Sequence, residues 1–447
     1  MKLLFIFFVS VSVSVTTNEV PGPNQPLYLT PYIESGRIYD ARLLALVPPM
    51  LEGLISFSGY LTVDKQYNSN LFFWFFPSET SWETKPVLLW LQGGPGASSL
   101  LGLLFENGPI RLTKVGLKKN PYSWSKLYNV IYIDNPVGSG FSFTNDSRGY
   151  PTTQDEIGNT VHNALLQLFA LFPEIKTNSF FLTGESYAGK YIPSVAYSIY
   201  KNKFNSTLKI NLHGLFIGNG MVDPVNMLHY GDYLYQLGLV DSNGKKMFQQ
   251  YEKIIAEKIS SQQWTKATEI FSMMVMDYYY SNFTLYNNLT GLKLHYNYIN
   301  DQEGDNDFQP FVTNTSIRNA LHVGENQFND GKTIALALKD DIMKSVKSNV
   351  EELLENYRVL FYFGQLDVIC AYPLGEQMIQ QFNWSGKAEF QQAQRRVWWV
   401  HEDLAGYCKS GGGLTEVMVR NAGHLVPADQ PVWTLELLNK FVSGTEC

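Results

Sequence analysis

The chain should fold as an α/β protein around a central, mostly parallel sheet that carries a helical insertion. Three observations support that expectation. Val87-Leu88-Leu89-Trp90-Leu91, Val130-Ile131-Tyr132-Ile133, Phe180-Phe181-Leu182-Thr183 and Val359-Leu360-Phe361-Tyr362-Phe363 are short, β-branched or aromatic, and apolar without alternation. Continuous rather than alternating hydrophobicity marks strands covered on both faces. Each run ends in a turn containing Gly or Asp, and helix-like segments lie between the runs, the alternation that builds a sheet flanked by helical layers. The 447 residues suffice for a large core: 45% are hydrophobic, and the 17% that are charged fall below the usual share of about 25%.

In chain order, residues 1–17 read as a secretory signal peptide, with Lys2, an apolar stretch, and then small and polar residues. A membrane anchor would need about 18 or more continuous apolar residues, and no later segment is long and apolar enough. Six sequons, at Asn145, Asn205, Asn282, Asn288, Asn314 and Asn383, fit export as candidate glycosylation sites. Residues 18–220 form the first part of the sheet domain. Within it, 56–76 reads as an antiparallel hairpin, two apolar runs divided by polar residues 64–70. Residues 152–172 read as a helix: Thr153 and Glu156 form a capping box, and Ile157, Val161, Leu165, Leu168 and Phe169 recur at helical spacing.

From 221 to 322 the strand runs vanish and polar, Tyr-rich stretches take over. A structureless segment of about a hundred residues is improbable inside a compact protein, so this one reads as a mostly helical cap. Residues 323–447 return to the sheet domain, with Glu416-Val417-Met418-Val419-Arg420 as a strand and Gly411-Gly412-Gly413 as a hairpin turn. Cys370, Cys408 and Cys447 allow at most one internal bridge and leave one thiol over. A core of this size does not depend on disulfides. The net charge of −7 argues against nucleic acid as a partner, because a phosphate-binding surface calls for a basic domain.

The chemistry begins at Thr183-Gly184-Glu185-Ser186-Tyr187-Ala188-Gly189, where a buried strand runs through Gly-x-Ser-x-small into a helix. Such a turn lifts the serine hydroxyl above the sheet edge as a nucleophile elbow; the generic pattern has Gly where this chain has Ala188. A serine needs a base. Of the seven histidines, His162, His213, His229, His295 and His322 lie in helical, strand-like or insertion contexts, and His401 follows Trp398-Trp399-Val400, where packing accounts for it. His424 instead follows a strand, in the loop Asn421-Ala422-Gly423, as the last histidine does where the order is Ser, acid, His. The orienting acid should then lie between them. Asp367, just past residues 359–363, fits, whereas Asp134 precedes Ser186 and breaks the order. An oxyanion hole needs two backbone N–H groups. One should come from Tyr187, the other from the loop Gln92-Gly93-Gly94-Pro95-Gly96. A phosphate loop would use similar glycines, but its Lys-Ser/Thr partner is missing.

Trp90-Leu91-Gln92-Gly93-Gly94-Pro95-Gly96-Ala97-Ser98-Ser99, Phe105-Glu106-Asn107-Gly108-Pro109, Tyr132-Ile133-Asp134-Asn135-Pro136-Val137-Gly138-Ser139-Gly140-Phe141-Ser142, Gly184-Glu185-Ser186-Tyr187-Ala188-Gly189 and Gly423-His424-Leu425-Val426-Pro427 together resemble the serine carboxypeptidases, over roughly residues 56–441. Gln92 and Gly364-Gln365-Leu366-Asp367-Val368 look most similar to the vitellogenic-like branch, which includes venom carboxypeptidases. The resemblance implies an α/β-hydrolase fold, with Ser186 as nucleophile, His424 as base and acid, Asp367 as its carboxylate, and Gly94 and Tyr187 as oxyanion donors. It further implies that Gln92, Gly93, Glu106 and Glu185 hold the substrate's terminal carboxylate, which two acidic side chains can do only by sharing protons. Gln92 departs from the family's more usual Asn and keeps the amide donor on a longer arm. Leu425 matches a position in the leaving-residue pocket. Cys370 matches a place where some relatives carry a free thiol near the site, and reads equally well as a small core residue.

The expected function is release of C-terminal amino acids from peptides and proteins at acidic pH, through a Ser/Asp/His triad and an acyl-enzyme. The alternatives are an acyltransferase using the same triad and a non-catalytic binding or stabilising partner. No metal and no cofactor is implied. The partners are peptide or protein C-termini, a homodimer is compatible with the sequence, and the route is the secretory pathway, ending outside the cell or in the lysosome.

Overall fold

The structure, a computed structural model, describes residues 22, 24–204, 208–276, 284–300, 307–445 and 447. The leader at 1–17 and the sequons at Asn205 and Asn282 lie outside the described residues. In chain order the strands are β1 (Phe57–Asp64), β2 (Ser69–Phe76), β3 (Val87–Leu91), β4 (Ile110–Thr113), β5 (Gly116–Lys119), β6 (Asn129–Ile133), β7 (Phe180–Glu185), β8 (Leu212–Gly218), β9 (Arg358–Gly364), β10 (Arg396–Val400), β11 (Asp403–Gly411) and β12 (Leu414–Val419). Strands β4 and β5 form a separate hairpin, and the other ten make one sheet in the order β1-β2-β6-β3-β7-β8-β9-β12-β11-β10. The run β6-β3-β7-β8-β9-β12 is parallel throughout. Antiparallel pairs extend it at both ends, the hairpin β1-β2 on one side and β11-β10 on the other.

The continuous apolar runs have their physical reason in the two layers they feed. Along β3, Val87, Leu89 and Leu91 enter one core layer, while Leu88 and Trp90 enter the other. Helix Gln154–Leu171, opened by a Thr153/Glu156 capping box, covers the first layer through Ile157, Val161, Leu165 and Leu168. Helices Leu100–Phe105 and Pro431–Ser443 cover the second through Leu103, Leu104, Leu437 and Leu438. Residues Gly412 and Gly413 turn β11 into β12 with φ of 56° and 83°, the left-handed pair that a two-residue hairpin requires.

Between β8 and β9 the described residues form helices and irregular backbone only, among them Ser242–Ser260 and Trp264–Met274. Helices continue past residue 322, with Lys332–Ala337 and Lys347–Leu354 preceding β9. No helix among the described residues is long and apolar enough to cross a membrane. Cys408 on β11 is bonded to Cys447, and Cys370 is free and buried.

One buried ion pair fastens the helical stretch that precedes β9 to the core. Lys190, on helix Ala188–Asn202 and fully buried, donates to Asp341 Oδ2 at 3.0 Å and to Ile342 O at 3.2 Å. Gln154 Nε2 donates to the same carboxylate oxygen at 2.7 Å. Burial pulls the Lys190 ammonium down to about 8, against the opposing pull of Asp341. Removing one member of a buried pair strands the other charge, at a cost of about 3–5 kcal/mol. Asp341→Ala should therefore lose about that much in denaturant unfolding. A loss below about 1 kcal/mol, the level of an ordinary substitution, would show that Lys190 does not depend on this partner.

Candidate active site

The C-terminal ends of β7, β9 and β12 deliver the three predicted residues to one edge of the sheet, because β7, β8, β9 and β12 are parallel neighbours. Ser186 follows β7 with φ of 64°, a left-handed conformation that a non-glycine residue rarely adopts outside sharp functional turns. Its N–H donates to Gly218 O at 2.9 Å, and its carbonyl accepts from Gly189 N at 2.9 Å and Met221 N at 3.0 Å. Ser186 is half-buried in surroundings that are otherwise buried.

Asp367 lies just past β9 and is fully buried. Its Oδ2 accepts from His424 Nδ1 at 2.9 Å, Asn219 Nδ2 at 2.6 Å and Cys370 N at 3.1 Å, and its Oδ1 accepts from Ile369 N at 2.9 Å. That donor set suits an ionised carboxylate, which only accepts. Asp134 is occupied elsewhere. It accepts from Ser98 Oγ at 2.6 Å, Ser99 N at 3.0 Å and Phe141 N at 2.8 Å, tying two loops together, and burial pushes its carboxyl up to about 6.

Gly93 and Gly94 follow β3 and run beside the elbow. A Cβ on Gly93 would come within 2.5 Å of Tyr187 N and 2.7 Å of Ser186 Cβ, so only glycine lets the two loops approach this closely. Gly94, Ser186 and Tyr187 together line a narrow, largely apolar pocket whose walls include Met221, Met227, Tyr230, Phe271, Ile369 and Cys370. Cys370 therefore faces this pocket, and burial, with the Asp367 charge second, pushes its thiol well up.

Gln92, Glu106 and Glu185 are buried together. Trp90 Nε1 donates to Gln92 Oε1 at 3.0 Å, and Gln92 Nε2 donates to Glu185 Oε1 at 2.7 Å. Because the indole can only donate, it fixes which end of the amide is oxygen and so turns the Gln92 donor toward Glu185. Among the described residues neither oxygen of Glu106, nor Oε2 of Glu185, has a partner in full hydrogen-bond geometry. The two carboxyls interact with each other and, with Gln92, form one buried group. Burial, relieved in part by Glu185 and Gln92, pushes Glu106 up to about 8. Burial and then the Glu106 charge push Glu185 well above the usual range. Leu425, half-buried, directly follows His424 and leads into the short helix Val426–Asp429.

Sequence reasoning missed Asn219, whose amide donates to Asp367, and Tyr296, whose ring lies against His424 at 9°. Asn219 carried a usable signal in its place after a strand, in Gly218-Asn219-Gly220. Tyr296 carried none. Among the described residues no group of three or more His, Cys, Asp or Glu side chains is placed to hold a metal ion.

Sheet order and the strand-turn-helix at Ser186 define an α/β-hydrolase. Residues 49–444 match the serine carboxypeptidase family, and the chain belongs to it: it is a serine-type carboxypeptidase, a hydrolase of peptide bonds. It is 47% identical to the venom serine carboxypeptidase of Apis mellifera, over 98% of this chain and 97% of that one. It is 42% identical to the vitellogenic carboxypeptidase of Aedes aegypti, over 94% and 91% respectively. Among solved structures, a prohormone-processing carboxypeptidase from Saccharomyces cerevisiae matches with a TM-score of 0.77 at 23% identity, covering 90% of this chain and 96% of that one. At that identity the likeness concerns the fold.

Proposed function

We propose that the protein releases single amino acids from the C-termini of peptides and proteins at acidic pH. Ser186 attacks the scissile carbonyl and His424, oriented by Asp367, accepts its proton and passes it to the leaving amine. The Gly94 and Tyr187 N–H groups hold the oxyanion, and water then releases the acyl-enzyme. The observation that carries this reading is the buried Gln92, Glu106 and Glu185 cluster beside the elbow. Three acidic or amide side chains around one proton suit a ligand that is itself a carboxylate. Gly93 lies alongside them, and Leu425 favours apolar leaving residues. The apolar walls next to Ser186 would lie against the side chain on the acyl side.

The sign of the pH effect follows from Glu106, raised to about 8. Below that value the pair keeps its proton and donates to a carboxylate; as pH rises through it, the pair ionises and repels one. A blocked dipeptide with a free C-terminus should therefore show KM climbing from about pH 7 upward, while its C-terminal amide, a poor substrate at every pH, shows no such climb. Equal kinetics for acid and amide would refute the carboxylate reading.

We also infer passage through the secretory pathway, to the cell exterior or the lysosome, with residues 1–17 as leader and 221–322 as the cap. The described sequon asparagines, Asn145, Asn288, Asn314 and Asn383, are all exposed, as glycan attachment requires.

A further inference from the structure

We propose that residues 295–298 of the helical insertion are positioning residues for the triad, with Tyr296 holding the His424 ring; this rests on the Ser186, Asp367 and His424 roles proposed above. The segment threads between the loop that carries the acid and the loop that carries the base, and bonds to both. On the acid side, His295 O accepts from Val368 N at 3.1 Å and Ile369 N at 3.3 Å, and Tyr298 N donates to Leu366 O at 3.1 Å. On the base side, Tyr296 O accepts from His424 N at 2.7 Å. The Tyr296 ring stacks on the imidazole, with centroids 5.1 Å apart and planes 9° apart. His295 in turn packs its ring edge-to-face with Tyr296 at 4.6 Å and 76°, a second aromatic contact on the Tyr296 ring.

The approach is as close as backbone allows. A Cβ on Gly423 would fall 2.3 Å from Tyr296 O and 2.8 Å from Asn297 Cβ, so a glycine before His424 is what admits the segment. The Asp367 bond fixes one ring nitrogen of His424 but leaves rotation about the ring's long axis to packing. The flat Tyr296 face restricts that rotation, and with it the direction of the other nitrogen. A displacement of about 1 Å at a catalytic group costs on the order of 10²-fold.

Tyr296 is also 38% exposed, so the rival role is a plain substrate contact, and the two separate by kinetics. Tyr296→Leu keeps apolar bulk and removes the flat face; Tyr296→Phe keeps the face. The proposal expects Tyr296→Leu to lower kcat roughly 10- to 100-fold with KM nearly unchanged, and Tyr296→Phe to stay near the wild type. The rate of Ser186 phosphonylation by an uncharged organophosphonate fluoride, which needs His424 but no C-terminal carboxylate, should fall in parallel. A raised KM at unchanged kcat, an unchanged labelling rate, or a Phe variant no better than Leu would overturn it. Should the Leu variant fail to fold, Tyr296→Phe and Tyr296→His, both flat, must still label at near wild-type rates, and a large drop in both would equally overturn it. Wild-type protein that does not label, or that labels in the Ser186→Ala variant, would instead refute the triad reading itself.

Discussion

Ser186→Ala should lower turnover about 10⁶-fold while leaving the unfolding transition in place. The size of the loss follows from nucleophilic catalysis: without the hydroxyl no acyl-enzyme forms, and what remains is binding and the oxyanion hole. The neutrality toward folding follows from the structure. Ser186 is held by backbone hydrogen bonds to Gly218, Gly189 and Met221, all of which alanine keeps. Its φ of 64° is as awkward for serine as for alanine, so the substitution adds little strain. A stability change beyond about 0.5 kcal/mol is not expected. Steady-state hydrolysis of a blocked dipeptide, with a denaturant melt of the same preparation, checks both halves. Activity within tenfold of the wild type would remove Ser186 from the mechanism. Turnover lost together with the cooperative melt would mean that the hydroxyl supports the elbow in a way its bonds do not reveal.

The central sheet was legible because burial on two faces leaves a direct mark on sequence. Val87-Leu88-Leu89-Trp90-Leu91 has no polar position because each neighbour along β3 enters a different apolar layer. The Thr153/Glu156 box was legible for a similarly local reason, since a cap is satisfied by residues three apart. Strand β10 left a weaker mark. It lies at the sheet edge, where Trp398 and Val400 are buried and Val397 and Trp399 exposed, but the run is apolar at all four positions and so does not record that only one face is covered.

The candidate site divides along the same line. Ser186, Asp367 and His424 could be read because each stands in the turn or loop that follows a strand, and strand ends are where an α/β sheet presents its chemistry. Glu106 and Glu185 could not be paired by periodicity or spacing; only resemblance brought them together, and the structure places them in one buried cluster with Gln92. Tyr296 was illegible altogether. Its role arises from a loop of the insertion meeting two loops far away in the chain, and nothing local to His295-Tyr296-Asn297-Tyr298 records that meeting. Gln92 shows the reverse case. A longer arm than the usual Asn keeps its amide aimed at Glu185 because Trp90, two residues earlier, holds its oxygen.

Asp367→Asn is expected to lower kcat about 10²- to 10⁴-fold with little change in KM, and the bonding around the carboxylate says why. Asparagine offers one acceptor atom and one donor group. Oδ2 meets three donors, from His424, Asn219 and Cys370, whereas Oδ1 meets only Ile369 N. The amide should therefore settle with its oxygen in the Oδ2 place and its NH2 against Ile369 N–H, one donor conflict instead of three. That conflict costs about 1–3 kcal/mol of stability, but His424 Nδ1–H keeps its acceptor and the ring its tautomer. What disappears is the negative charge beside the imidazolium that forms when Ser186 gives up its proton. Because that charge matters only once the imidazolium exists, the loss falls on kcat and not on binding. The Nδ1–H proton resonance of His424 should remain visible in the variant, as a neutral hydrogen bond less far downfield than in the wild type. Its disappearance with a loss beyond about 10⁴-fold would mean the amide had turned and forced the wrong tautomer. A kcat within about threefold of the wild type would free Asp367 from the triad altogether, and Asp134, fully engaged by Ser98, Ser99 and Phe141, would not be there to replace it.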